Sequence, residues 1–100
     1  EVKCTLEDVV REGTRVLKPG GRFFMVHRPR RLIEIITVMK RHGLEPKRMK
    51  MVHPYADREA NMVLIEAVRG GGPLLKMEAP VIVFDQNGEY SPEIRTTYGY

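Results

Sequence analysis

The chain has 100 residues, with 17 basic and 13 acidic side chains and a formal charge of +4. Hydrophobic residues at 42% and charged residues at 30% make an ordinary globular composition, which excludes a disordered tail and a collagen-like repeat. No apolar stretch approaches the roughly 20 residues of a membrane span, and a chain this short buries only about 60–65% of the surface it exposes unfolded, so one domain with a thin core is the limit. The single Cys4 allows no intrachain disulfide and no signal-peptide pattern opens the sequence, so a reducing cytoplasm is expected. The modest positive charge favours an anionic partner such as nucleic acid without requiring one.

The first element is a helix over Leu6 to Leu17. Leu6, Val9, Val10, Gly13, Val16 and Leu17 recur at helical spacing, with Glu7, Asp8, Arg11, Glu12 and Arg15 on the wet side. Thr5 is placed to cap it, and Glu7 and Asp8 suit the positive end of the dipole. A chain that begins at Glu1 directly on a helix entrance reads as a cut end. Lys18-Pro19-Gly20-Gly21 stops the helix. Arg22–His27 follows as a continuous apolar run, which predicts a strand buried on both faces of a parallel sheet.

Pro29 closes that strand. Arg30 to His42 reads as a second helix with Leu32, Ile33, Ile36, Val38 and Met39 on its dry side, ended by Gly43 in a left-handed cap after Lys40, Arg41 and His42. Glu45 to His53 alternates, with Met49, Met51 and His53 opposite Arg48, Lys50 and Val52, as a strand with one exposed face does. After a polar loop over Pro54–Glu59, Asn61–Val68 reads as a third strand, apolar enough to be central. Gly70-Gly71-Gly72-Pro73 is the clearest boundary in the chain. It divides residues 1–69 from a linker and tail at 70–100, where Val81–Phe84 is a short strand, Asp85-Gln86-Asn87-Gly88 a turn, and Ser91-Pro92-Glu93 a helix start. A doubly buried Arg22–His27 needs two sheet neighbours; Asn61–Val68 supplies one and nothing upstream supplies the other. The chain therefore reads as half of an α/β sheet whose other half is missing.

Helix, then Leu17-Lys18-Pro19-Gly20-Gly21-Arg22, then an apolar strand resembles the approach to the fifth strand of Rossmann-like S-adenosylmethionine-dependent methyltransferases. A narrower resemblance is to bacterial tRNA(Val) adenine-N6-methyltransferases of the small-domain methyltransferase group. It is carried by His27-Arg28-Pro29-Arg30-Arg31-Leu32, Gly43-Leu44-Glu45-Pro46-Lys47-Arg48, Ala60–Ala67 and Gly70-Gly71 with Pro80–Val83, Gly88-Glu89-Tyr90 and Glu93-Ile94. The resemblance implies an α/β fold: the C-terminal half of a methyltransferase sheet, ordered helix–strand–helix–strand–strand with the last pair antiparallel, plus a short C-terminal extension. It also implies that the Gly-rich cofactor loop, the ribose-binding acid and the catalytic Asn-Pro-Pro-Tyr all lie outside these residues. His53-Pro54-Tyr55 lacks the Asn and the first Pro of that motif. No catalytic and no cofactor-binding residue is therefore assigned, and this chain alone is expected to be inactive although the parent is an enzyme.

The candidate RNA-binding residues are Arg28, Arg30, Arg31, Lys47, Arg48 and Lys50. Arg28 follows the strand end where open α/β sheets bind ligands, and in the family that edge faces the substrate. Arg30 and Arg31 would add phosphate contacts. The structural alternative is a solvated first helical turn, in which positive charge is mildly unfavourable. Lys40 and Arg41 are explained by the helix end, whereas Lys47, Arg48 and Lys50 form a footprint only if they share a face with Arg28. Cys4, His27, His42 and His53 lack metal-site spacing, so no metal is assigned, and a Cys4–His nucleophile is equally unsupported. Asn61 bonds either to its own loop or toward the substrate, and Glu66 reads as an edge residue or the partner of an arginine.

These observations lead to a fragment of an S-adenosylmethionine-dependent methyltransferase acting on the N6 amine of an adenine in tRNA. The cofactor would be held mainly by the missing half. The expected partners are tRNA and either that N-terminal half or a second copy along the open sheet edge, with no membrane and no metal. The rival is a non-enzymatic nucleic-acid-binding or oligomerisation module of about 100 residues.

Overall fold

A computed structural model describes residues 5–85 and 88–89; the expected helix start at Ser91–Glu93 and the contacts of Cys4 lie outside them. Helix α1 spans Leu6–Val16 and opens with a reciprocal cap. The Asp8 N–H donates to Thr5 Oγ1 and the Thr5 N–H donates to Asp8 Oδ2, each at 3.1 Å, so two of the orphan donors of the first turn are satisfied. Those contacts from Thr5 hold the Asp8 carboxyl below its usual range.

The Lys-Pro-Gly-Gly turn has two separate glycine requirements. Gly20 takes φ +84°, open to glycine at no steric cost. Gly21 donates to the Lys18 carbonyl at 2.8 Å, and a Cβ there would lie 2.9 Å from that same oxygen. The turn then joins the far end of the sheet: Gly20 N–H donates to Arg69 O and Arg69 N–H to Gly21 O. Strand β1 (Arg22–His27) follows, then a 3-10 turn over Pro29–Arg31 and helix α2 (Leu32–Arg41). The second helix thus begins two residues later than the sequence predicts, because Arg31 sits at φ −101°, ψ 12°, outside the α region. Gly43 takes the expected left-handed conformation and leads into β2 (Leu44–His53), followed by β3 (Met62–Arg69).

Strand β3 lies between β1 and β2 and runs antiparallel to both. Both helices pack on one face of this sheet. The core is Val10 from α1, Ile35, Val38 and Met39 from α2, Leu44 and Met49 from β2, and Val63, Ile65 and Ala67 from β3. Phe23 and Met25 of β1 pack against it.

Two expectations are corrected. Strand β1 is neither parallel to its neighbour nor buried on both faces: burial alternates along it, and Phe24 and Val26 on the far side are 70% and 58% exposed. Among the described residues its ladder partner is β3 alone. The apolar run therefore marks a face that no layer of this chain covers. Beyond the glycine boundary, the expected strand Val81–Phe84 is present but shorter, as β5 (Val81–Ile82), and an unexpected short strand, β4 (Lys76–Met77), precedes it; both run parallel to β2 on its outer edge. The Glu78 N–H donates to Met49 O at 2.8 Å, and the Glu78 carboxylate receives Arg48 Nε at 2.6 Å. This segment is held to the sheet by few contacts, and Leu74, Leu75 and Met77 remain exposed.

Gly13 faces the ring of Phe23, and an added Cβ would lie 2.2 Å from a ring carbon. Alanine in place of glycine ordinarily stabilises a helix by about 1 kcal/mol, but overpacking costs about 1–3 kcal/mol. Gly13→Ala should therefore lower the urea-unfolding stability by about 1 kcal/mol, and an unchanged or raised midpoint would show that the ring moves aside freely. A second prediction concerns the outer segment. The hydrogen bond from Arg48 holds the Glu78 carboxyl below its usual range. Its contribution is then complete above that range and is lost as pH falls through the lowered folded value. The protection factor of the residue-78 amide, with the intrinsic exchange rate divided out, should fall on acidification through that window, less so in high salt, and Glu78→Gln should show the low protection at every pH.

Candidate functional site

The antiparallel pairing brings the C-terminal end of β1 beside the N-terminal end of β3, with His27 opposite Val63. The chain leaves β1 through Arg28 and Pro29 and enters β3 from the loop at Glu59–Asn61. A cleft of about 1120 Å³ opens between these two ends, lined by Val26, Arg28, Arg30, Glu59, Asn61 and Met62 together with His27, Pro29 and Ala60. The Asn61 N–H donates to Val52 O at 2.9 Å, which fixes the entry of β3. Asn61 is exposed and lines the cleft.

The six basic candidates divide among four places. Arg28 and Arg30 line the cleft, and among the described residues neither guanidinium has a hydrogen-bond or ion-pair partner. Arg31, next in sequence, points elsewhere: it grips Glu34 through Nε–Oε2 at 3.0 Å and Nη2–Oε1 at 2.6 Å. The hydrogen bond to Glu34 raises the Arg31 pKa and, reciprocally, lowers that of Glu34. Lys47 is the extra residue of a bulge between Pro46 and Arg48, and its Nζ donates to Gly72 O at 2.9 Å. Arg48 and Lys50 belong to the uncovered face of the sheet.

On that face Phe24, Val26 and Leu64 border a groove of about 350 Å³, with Arg48, Lys50, Glu66 and Glu78 along it. Glu66 is drawn between two strands' arginines: Arg22 Nη1 approaches Oε1 at 3.2 Å and Arg48 Nη1 approaches Oε2 at 3.5 Å, while the Glu66 side chain is 11% exposed. Glu66 is thus the arginine partner the sequence suggests, but at the centre of the sheet and not at an edge. Arg48 also binds Glu78. The part of Glu78 has no sequence signal, because a two-residue strand is too short to show a period.

The histidines have separate surroundings. The Arg28 N–H donates to His27 Nδ1 at 2.7 Å, so a neutral ring carries its proton on Nε2. His42 Nε2 lies 3.0 Å from Glu7 Oε1, with Arg41 on the other oxygen at 2.8 Å; these contacts lower the Glu7 pKa and clamp α1 to the end of α2. His53 Nδ1 contacts Arg58 O at 2.7 Å, and Tyr55 lies against Phe84 with ring centroids 5.6 Å apart. His53-Pro54-Tyr55 is thus part of a loop folded against β5 and its continuation. Among the described residues no helix is long and apolar enough to cross a membrane.

No protein-family model and no curated protein matches this chain. Among solved structures, a protein described as a predicted O-methyltransferase from Agrobacterium tumefaciens superposes with a TM-score of 0.83 at 22% sequence identity, over 94% of this chain and 45% of its own. The chain spans about half the length of that structure. The likeness is one of fold: the two helices and the open sheet, with β3 between β1 and β2, form a methyltransferase-like α/β arrangement.

Proposed function

We propose that this chain forms the C-terminal half of an S-adenosylmethionine-dependent methyltransferase whose acceptor is the N6 amine of an adenine in tRNA. The observation that carries this reading is the placement of β3 between β1 and β2, antiparallel to both, behind the Leu17–Gly21 turn. The tRNA acceptor is supported by the sequence resemblance over His27–Leu32 and Ala60–Ala67 and by the cations Arg28, Arg30, Arg31, Lys47, Arg48 and Lys50. Uncovered Phe24, Val26 and Leu64 supply a surface for an N-terminal half to cover.

The chain's own residues do not fit a site for the methyl donor. A backbone that approaches such a ligand needs glycine in a strand-to-helix turn. The strand-to-helix turn after β1 holds Arg28 and Pro29, while Gly20 and Gly21 enter a strand and Gly70–Gly72 lead from β3 toward β4. The donor, which supplies an electrophilic methyl group, would be held by the other half. This chain would complete the sheet, wall the substrate cleft at the strand ends and hold the acceptor in place, a role in which positioning contributes much of the rate.

A second reading has one observation in its favour. The free edge of β1, beside exposed Phe24 and Val26, suits pairing with a second copy in a non-enzymatic module.

The test is methyl transfer from tritiated S-adenosylmethionine to unmodified tRNA by the full-length protein, followed by nucleoside analysis. N6-methyladenosine is expected. A methyl ether or ester on another acceptor would overturn the adenine assignment. Calorimetric titration of the 100-residue chain with S-adenosylhomocysteine should give no heat, and one-to-one binding would overturn the division between halves. A concentration-dependent dimer without transferase activity would favour the second reading.

A further inference from the structure

The cations of this chain are unequal. Arg11, Arg15, Arg22, Arg31, Arg41 and Arg48 each lie within ion-pair distance of a carboxylate. Among the described residues Arg28 and Arg30 do not, although Glu59 lines the same cleft; Arg58 has no such partner either but lies outside the cleft lining. A guanidinium already gripped by a carboxylate offers little net charge to a phosphate, whereas an unpaired one offers all of it and a planar fork as well. The free pair stands at one rim of the cleft. Beside it, Val26 and Met62 present 58% and 40% of their surface, and the Asn61 amide brings one donor pair and one acceptor to the same space.

Donors to phosphate, an apolar shelf and a neutral amide are three kinds of contact, and together they match the phosphate, the base face and the base edge of one unstacked nucleotide. Duplex RNA presents phosphates and ribose hydroxyls but keeps its bases stacked, so it would leave the shelf and the amide unused. The cleft, at about 1120 Å³, exceeds the roughly 300–1,000 Å³ of ordinary small-ligand sites and has room for a base with its flanking phosphates.

We propose that this cleft receives a single unstacked nucleotide of single-stranded RNA, with its phosphates on Arg28 and Arg30, its base on Val26 and Met62, and its base edge against the Asn61 amide. The proposal rests on the reading of the chain as part of an RNA-modifying enzyme and adds to it which part of the RNA enters and which two of the six cations hold it. Arg31 and Arg48, neutralised by Glu34 and by Glu66 and Glu78, are then structural.

The probe is a fluorescein-labelled oligoadenylate of about ten nucleotides, titrated by anisotropy against the 100-residue chain over a series of salt concentrations. Each phosphate contact on a single strand contributes about 0.7 to the slope of log affinity against log salt, so the Arg28→Ala, Arg30→Ala double variant should flatten that slope by about 1.4. Arg31→Ala, which also removes a formal charge, should leave the slope unchanged, whereas Arg28→Ala alone should flatten it by about 0.7. Asn61→Leu should weaken binding roughly fivefold or more at unchanged slope, as loss of a neutral contact does. An unlabelled RNA duplex of equal length should compete poorly. Equal slopes for wild type and the double variant, or a loss with Arg31→Ala as large as with Arg28→Ala, would overturn the assignment while leaving RNA binding in place. Efficient competition by the duplex would overturn the unstacked nucleotide. No binding of the probe by the wild type at low salt would remove the RNA reading, and the cleft assignment with it.

Discussion

The position of β3 controls the rest of the molecule. Strands β1 and β2 share no ladder with each other; each is held by hydrogen bonds to β3, one on either edge. On the helix side β3 places Val63, Ile65 and Ala67, all but fully buried, under Ile35 and Met39 of α2 and Val10 of α1. The bulge at Lys47 belongs to the same constraint. Pro46 pairs with Ala67 and Met49 with Ile65, so three steps along β2 match two along β3. Without the extra residue either Pro46 or Met49 would be turned out of the core, since a one-residue slip inverts the face of a strand. Pro46 has no N–H for a ladder bond, and a bulge is where a strand tolerates that loss.

With both helices on one side, the other side of the sheet is settled by charge as much as by apolar contact. Glu66 stands in the central strand with little access to water, and a carboxylate so placed needs opposite charge close by. Arg22 and Arg48 reach it from the strands on either side, and Arg48 continues to Glu78 on the outer segment. Taken singly these half-exposed pairs are weak. Their arrangement nevertheless links β1, β3, β2 and the residue after β4 across a face that, among the described residues, lacks a second hydrophobic layer. Phe24, Val26 and Leu64 lie beside this network, and an apolar patch next to a satisfied ionic one is the surface expected where another layer docks.

Local signals were legible in the sequence where a residue's role is set by its neighbours in the chain. Thr5 and Asp8 are three residues apart and cap the helix between themselves; Gly20 and Gly43 sit where a positive φ is needed; the ends of β1 follow from Pro19-Gly20-Gly21 and Pro29. What depends on distant partners was not legible. Arg22–His27 reads as doubly buried because Phe23, Phe24, Met25 and Val26 are all apolar, and composition does not say whether this chain or another layer covers Phe24 and Val26. The short strands β4 and β5 carry no period, and their attachment through Glu78 to Arg48 spans 30 residues. The side chain of Asn61 had two open readings because both its loop and the cleft offer polar surroundings. Arg28, Arg30 and Arg31 look alike in sequence. Glu34 lies three residues beyond Arg31 and four beyond Arg30, both pairing distances on a helix, so its choice of Arg31 was not legible in the sequence.

The separation of these arginines also bears on how the uncovered face and the cleft coexist. The uncovered face runs along the strands, whereas the cleft opens at the strand ends, where antiparallel β1 and β3 stop and the chain turns away. A layer laid on Phe24 and Leu64 would bury the network of Arg22, Glu66, Arg48 and Glu78, in which two cations face two carboxylates, so each charge taken from water keeps an opposite charge beside it. It would not bury Arg28 and Arg30, whose unpaired charges would be expensive to remove from water. Val26 belongs to both surfaces, lining groove and cleft alike. A covering layer would thus meet the cleft at Val26 and form its next wall, so that closing the sheet and shaping the cleft are a single packing event.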